Sequence, residues 1–199
     1  MIEDPATGSW VELARDQIAL IDHLGFDHVT LGGVSMGAGT ALHSALALGE
    51  RLQQMVLVIP PTGWEERASQ VALYEQMAGI IEERGPRAVV AAAAALPSPD
   101  PFADTAEYHD RRAGSLGGAD RARLAACYRG AAHADLPPLE DVATITVPTL
   151  VLAWSGDPAH PVSTADQLAK TMPNVQVSIA STADEFATWS SQVHNFLSG

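Results

Sequence analysis

The sequence predicts an α/β protein, a parallel sheet of about four strands with flanking helices and a helical insertion. Three observations predict it. Apolar runs rich in β-branched residues alternate with stretches of helical period. The connections between them are short. The glycine-rich segment Gly33-Val34-Ser35-Met36-Gly37 falls where a strand hands over to a helix. Helix, strand, helix, strand joined this closely implies parallel strands and right-handed crossovers.

Residues 9–24 carry Trp10, Leu13, Ile18, Ile21 and Leu24 at helical spacing, with Ser9 as N-cap and Glu12 as its capping-box partner. Gly25 stops that helix. Phe26 to Val34 reads as a buried strand, and Met36 to Gly49, rich in alanine and leucine with no proline, as a helix. Gln54 to Ile59 is a second buried strand, ended by Pro60-Pro61.

Residues 62–140 contain Ala91–Ala95, the proline-rich Pro97 to Pro101 and the stretch Gly114 to Gly118, with no strand-like run. They read as a helical insertion with loops, which leaves 1–61 and 141–199 as the core. A strand over 147–154 then enters the polar turn Ser155-Gly156-Asp157-Pro158. A helix over 163–172, capped by Ser163 or Thr164, a strand from Val175 to Ile179 and a helix over 184–197 complete the chain.

Composition narrows the partners. The chain of 199 residues carries 24 Asp and Glu against 11 Lys and Arg, a formal charge of −13. That balance repels phosphate backbones and anionic lipid, so neither nucleic acid nor membrane is expected as a partner. Cys127 is the sole cysteine, which excludes an internal disulfide and fits a reducing, cytoplasmic compartment. The longest apolar run, Ala88 to Leu96, is too short to span a bilayer, and nothing near Met1 reads as a signal peptide. Neither Gly-x-Gly-x-x-Gly nor Gly-Lys-Ser/Thr occurs, so no nucleotide cofactor is expected, and no metal site is read.

The chemistry lies at Ser35. A serine hydroxyl is a weak nucleophile until a base takes its proton and the oxygen is held clear of the fold. A sharp strand-to-helix turn does the second job: it holds the serine at positive φ, with glycines two residues to either side removing side chains that would collide. The following helix points its N-terminus at the site, where its dipole and the Met36 N–H can form an oxyanion hole. A glycine-rich connection without chemistry is the plainer reading of the same residues.

With these features the chain resembles the α/β-hydrolase superfamily, in particular its esterase and enol-lactonase-like branch common in bacteria. The resemblance rests on Leu20-Ile21-Asp22-His23-Leu24-Gly25-Phe26, on Val29 to Gly39, and on Val147 to Leu152 followed by Asp157-Pro158. It implies a cap formed by residues 62–140, Ser35 as nucleophile and Asp157 as the acid that orients a base. Taken alone, Asp157 also reads as an Asp-Pro turn residue.

The family places its histidine in the loop after the last strand, here 180–185, where no histidine stands. Seven histidines are present. His23 and His28 flank a helix–strand turn, His43 lies on the helix after Ser35, and His109 and His133 lie in the insertion. His194 sits in the final helix. His160, on the loop of Asp157, is the candidate base, with a structural or substrate-facing role as the alternative.

The family's sheet also has strands ahead of the segment where this chain begins, one of them leading to a second oxyanion donor. The resemblance therefore implies a chain lacking those strands, with 26–34 as an exposed edge. Self-association through that edge, or a start upstream of Met1, is the expected consequence. Two functions follow: hydrolysis of a small carboxylic ester or lactone at Ser35, or a catalytically silent relative that binds a small ligand among Trp64, Tyr74, Phe102 and Tyr108.

Overall fold

The computed structural model describes residues 8–93, 98–103 and 118–199. Its four strands, β1 (Val29–Val34), β2 (Leu52–Val58), β3 (Thr149–Trp154) and β4 (Val175–Ala180), form one parallel sheet in the order β1-β2-β3-β4. Strands that are neighbours in sequence are therefore neighbours in space. Around them lie α1 (Trp10–Leu24), α2 (Met36–Leu48), α3 (Val71–Arg84), α4 (Pro86–Ala93), α5 (Arg121–Ala132), α6 (Leu139–Val142), α7 (Val162–Thr171), α8 (Ala183–Ala187) and α9 (Trp189–Ser198). None of the described helices is long and apolar enough to cross a membrane.

Side chains alternate across a strand, so each strand feeds two layers. Met55, Leu57, Val151 and Ala153 point to one face, where they pack with Trp10 and Ile21 of α1, Leu42 of α2 and Leu168 of α7. Val56, Leu150, Leu152 and Trp154 point to the other, against Phe186, Trp189, Val193 and Phe196 of α8 and α9, with Phe102. β3 is buried at every position because both its faces are covered. β1 is an edge strand: only Leu31 is buried in it, and Val34 is 59% exposed.

Residues 62–140 lie between β2 and β3. Among the described residues they form no strand, and α3, α4 and α5 share a small core of Ile81, Val89 and Ala125. Arg67, 5% exposed, ties this region together. Its guanidinium donates to the carbonyls of Thr62, Ala131 and Ala134 and lies over the rings of Trp10 and Tyr74. Ala134 and Leu136 already belong to the main core.

Several boundaries differ from expectation. β1 begins at Val29; Phe26 lies ahead of it, half exposed, its carbonyl held by Arg51. At α1, Ser9 Oγ accepts from the Glu12 N–H, but the Glu12 carboxylate pairs with Arg15. α7 starts after Pro161, not at Ser163 or Thr164. The fixed φ of proline starts the helix, Ser163 donates to Glu66 and Thr164 is buried. The expected helix over 184–197 is two helices: Thr182 and Glu185 make a capping box for α8, and the chain turns at Thr188 before α9.

Gly39 brings α1 and α2 together. A Cβ there would stand 2.6 Å from the Trp10 ring, which is 1% exposed and has nowhere to go. Gly39→Ala is expected to destabilise the fold by about 1–3 kcal/mol, read as a fall in the urea midpoint.

Candidate active site

The end of β1 delivers Ser35. The Ser35 N–H donates to the Val58 carbonyl (2.9 Å), which continues the β1–β2 ladder by one residue, and α2 begins at once with Met36. Ser35 itself sits at φ 54°, ψ −115°, a conformation that L-residues other than glycine rarely adopt. The turn stays this sharp because residue 33 is glycine: a Cβ there would strike the Gly37 carbonyl. Gly37 differs from expectation, since a Cβ at that position would meet nothing within 4 Å. Only one of the two glycines is there to avoid a collision within the turn.

The end of β3 delivers the other two groups. Asp157-Pro158-Ala159-His160 closes as a β-turn, with the His160 N–H donating to the Asp157 carbonyl (3.2 Å). Aspartate and proline suit its first two positions: proline presets φ, and the Asp157 side chain accepts from the backbone two residues on. That second bond runs from the Ala159 N–H to Asp157 Oδ1 at 2.9 Å. The turn folds the imidazole back over the carboxylate, so His160 Nδ1 lies 2.8 Å from Asp157 Oδ2. On its far side, His160 Nε2 lies 2.7 Å from Ser35 Oγ. Ser35, His160 and Asp157 thus form one continuous hydrogen-bonded line.

Thr62 holds the turn from the side. It is 2% exposed, and both its N–H (3.1 Å) and its hydroxyl (3.0 Å) donate to the Ala159 carbonyl. Trp154, the last residue of β3, donates its indole N–H to Asp157 Oδ2 at 2.9 Å.

Electrostatics assigns the protons. The Asp157 side chain is 11% exposed, and burial alone would raise its pKa. The hydrogen bond and charge of His160, with the donors Trp154 and Ala159, together outweigh burial and lower it to about 2. Above that pH the carboxylate can only accept, so Nδ1 of His160 carries the ring proton. In the neutral imidazole Nε2 is then the acceptor for the Ser35 hydroxyl. The Met36 N–H opens α2 and has no carbonyl four residues back within the helix, as an anion-facing donor requires.

The remaining expected residues lie elsewhere. His23, His28 and His194 are exposed, His43 bonds the Asp135 carbonyl and His133 faces Glu75. His109 and Tyr108 fall outside the described residues. Tyr74 packs on Tyr128, and Phe102 on Trp154 and Phe186. Trp64 lines a groove of about 360 Å³ with Glu65, Glu66, Asp166 and Lys170. Sequence reasoning missed Thr62, whose contact with the turn spans 97 positions, and Trp154, whose indole reaches Asp157 from three positions away.

Residues 3–188 match the alpha/beta hydrolase family, and the chain belongs to it. It is 27% identical over 153 residues to 3-oxoadipate enol-lactonase 2 of Acinetobacter baylyi, an alignment covering 76% of this chain and 55% of that protein. The chain thus spans about half the length of this curated relative. A hydrolase from Pseudomonas aeruginosa superposes with a TM-score of 0.79 at 21% identity, covering 96% of this chain and 72% of that one. The enol-lactonase from Burkholderia xenovorans gives 0.70 at 20% identity, covering 96% and 74%. At these identities the two solved structures share the fold.

The depressed Asp157 pKa makes stability depend on pH. The folded value, about 2, lies below the usual aspartate value of roughly 3.9. The ionised carboxylate therefore stabilises the fold in full above that usual value, and the gain is lost as pH falls toward 2. Asp157→Asn is expected to cost on the order of 1–2 kcal/mol at pH 6. By pH 3 the gap from wild type should narrow, as measured by urea unfolding at both pH values.

Proposed function

We propose that the chain is a serine hydrolase of a small carboxylic ester or lactone, with Ser35 as nucleophile, His160 as general base and Asp157 as the acid that orients it. The observation that carries this reading is the line Ser35 Oγ–His160 Nε2 (2.7 Å), His160 Nδ1–Asp157 Oδ2 (2.8 Å). Both distances lie within direct proton-transfer reach, and the line is the arrangement an activated serine needs. Membership of the alpha/beta hydrolase family and the likeness to an enol-lactonase support it.

Each proton in the reaction has a place. His160 Nε2 takes the Ser35 proton as Oγ attacks the substrate carbonyl, and the Met36 N–H faces the oxygen that becomes negative. Asp157 stays ionised and stabilises the imidazolium. The imidazolium returns its proton to the leaving alkoxide as the ester bond breaks, which leaves an acyl group on Ser35. His160 then takes a proton from water, hydroxide adds to the acyl carbon, and the acid departs as Ser35 regains its proton. For a lactone the protonated leaving oxygen stays on the same carbon chain throughout, and the last step releases one hydroxy acid.

The test is labelling with a fluorophosphonate, which bonds only to an activated serine. Wild type should label, Ser35→Ala should not, and His160→Gln should label more slowly by a factor on the order of a thousand or more. An unlabelled, folded wild type would favour the silent ligand-binding reading. Labelling that survives Ser35→Ala would sink Ser35 as the nucleophile.

A further inference from the structure

Asp157 and His160 leave the sheet on one short turn, so the usual device of two separately anchored segments does not orient the acid. Something outside the turn must fix the carboxylate. Among the described residues three donors face it: the Ala159 N–H on Oδ1, and His160 Nδ1 and the Trp154 indole N–H on Oδ2. The first two belong to the turn and move with it. Trp154 does not, because it closes β3, the fully buried strand.

Its ring is fixed independently as well. The Trp154 indole stacks on Trp189 (5.8 Å between centroids, 14° between planes) and meets the Phe102 ring edge-on (5.5 Å, 88°). Phe186 packs beside both Trp154 and Trp189. Trp154 is 8% exposed, so its N–H points in a direction set by a packed aromatic cluster spanning β3, α8 and α9. An indole nitrogen can only donate. Aimed at an oxygen that also accepts from His160, it sets the rotation of the carboxylate and so the direction in which the imidazole is held.

Resting on the reading that Ser35, His160 and Asp157 form the catalytic line, we propose that Trp154 is a positioning residue for the acid, tying Asp157 Oδ2 to the sheet through its indole N–H. The expectation is a loss in turnover with little change in substrate affinity, because Trp154 acts through Asp157 and His160.

The test compares Trp154→Phe, which keeps an aromatic ring and deletes the N–H, with Trp189→Phe, which alters the stacking and leaves the N–H in place. Turnover of p-nitrophenyl acetate is measured for both. Trp154→Phe should lower kcat about tenfold with KM within about twofold of wild type, the loss expected for one hydrogen bond to a charged group. Trp189→Phe, which keeps an aromatic ring against Trp154 and leaves the indole N–H on Asp157, should lower kcat clearly less than Trp154→Phe does. A wild type that neither hydrolyses the ester nor reacts with the fluorophosphonate overturns the catalytic reading, and this role with it. An active wild type with unchanged kcat in Trp154→Phe, or an equal loss in Trp189→Phe, overturns the role of Trp154 alone.

A second measurement decides the matter if Trp154→Phe does not fold. The chain has four tryptophans, so ¹H–¹⁵N spectra resolve few indole signals. The Trp154 signal should lie downfield in the wild type and move upfield in Asp157→Asn, while that of Trp189, whose Nε1 has no described partner, should stay in place. A Trp154 signal that does not respond to Asp157→Asn overturns the proposal.

Discussion

The hydrogen bond between His160 Nδ1 and Asp157 Oδ2 is made inside a four-residue turn, and the geometry of the site follows from it. A carboxylate held ionised to about pH 2 leaves the neutral imidazole one tautomer, with its proton toward the acid and Nε2 as acceptor. The turn is built for this. Aspartate opens it, proline presets its second position, and the side chain of the first residue captures the N–H of the third. Thr62 then secures the third residue's carbonyl twice, so the turn is fixed from within and from outside.

Ser35 arrives by a separate route with its own cost. Its backbone at φ 54° lies in a sparsely populated region, and strain of this kind is on the order of 1–3 kcal/mol. Three contacts offset it: the Ser35 N–H on Val58, the bare Gly33 that lets the turn close, and the packing of α2 beneath β1 and β2. Both routes end at the carboxyl edge of one parallel sheet, where the strands finish and the helices begin. The main core and the aromatic cluster lie on opposite faces of that sheet. Ser35 is therefore held mainly from the α1–α2 side, and Asp157 from the side of α8 and α9.

How much of this is legible in the sequence depends on how local the cause is. The four strands, α1 with its Ser9 and Gly25 ends, and the turn at Ser35 are all written in short patterns: β-branched runs, helical period, a left-handed glycine. The errors fall where a neighbour decides. Pro161 starts α7 ahead of the hydroxyls at Ser163 and Thr164, and Thr182 with Glu185 cuts the last helix in two. The meeting of Ser35 with His160 spans 125 positions and has no sequence pattern, so the sequence offers Asp157 as acid only through the resemblance and His160 only as a candidate base on its loop. Thr62 bonds Ala159 across 97 positions and is unmarked for the same reason, whereas Trp154 lies three positions from Asp157 and is unmarked because no local pattern announces the bond. Each is an ordinary residue of its type until the fold sets its donor beside the turn.

Carrying acid and base on one turn also changes how the site responds to motion. Three groups borne by three segments must keep two gaps between independently fluctuating pieces of backbone. Here only one such gap exists, between the end of β1 and the turn after β3, since the Asp157–His160 distance travels with the turn. Thermal displacement at the sheet edge therefore enters the site through a single coordinate, the separation of Ser35 Oγ from His160 Nε2. β2, paired to β1 from Leu52 to Val58 and to β3 from Met55 to Val58, sets the width of that separation.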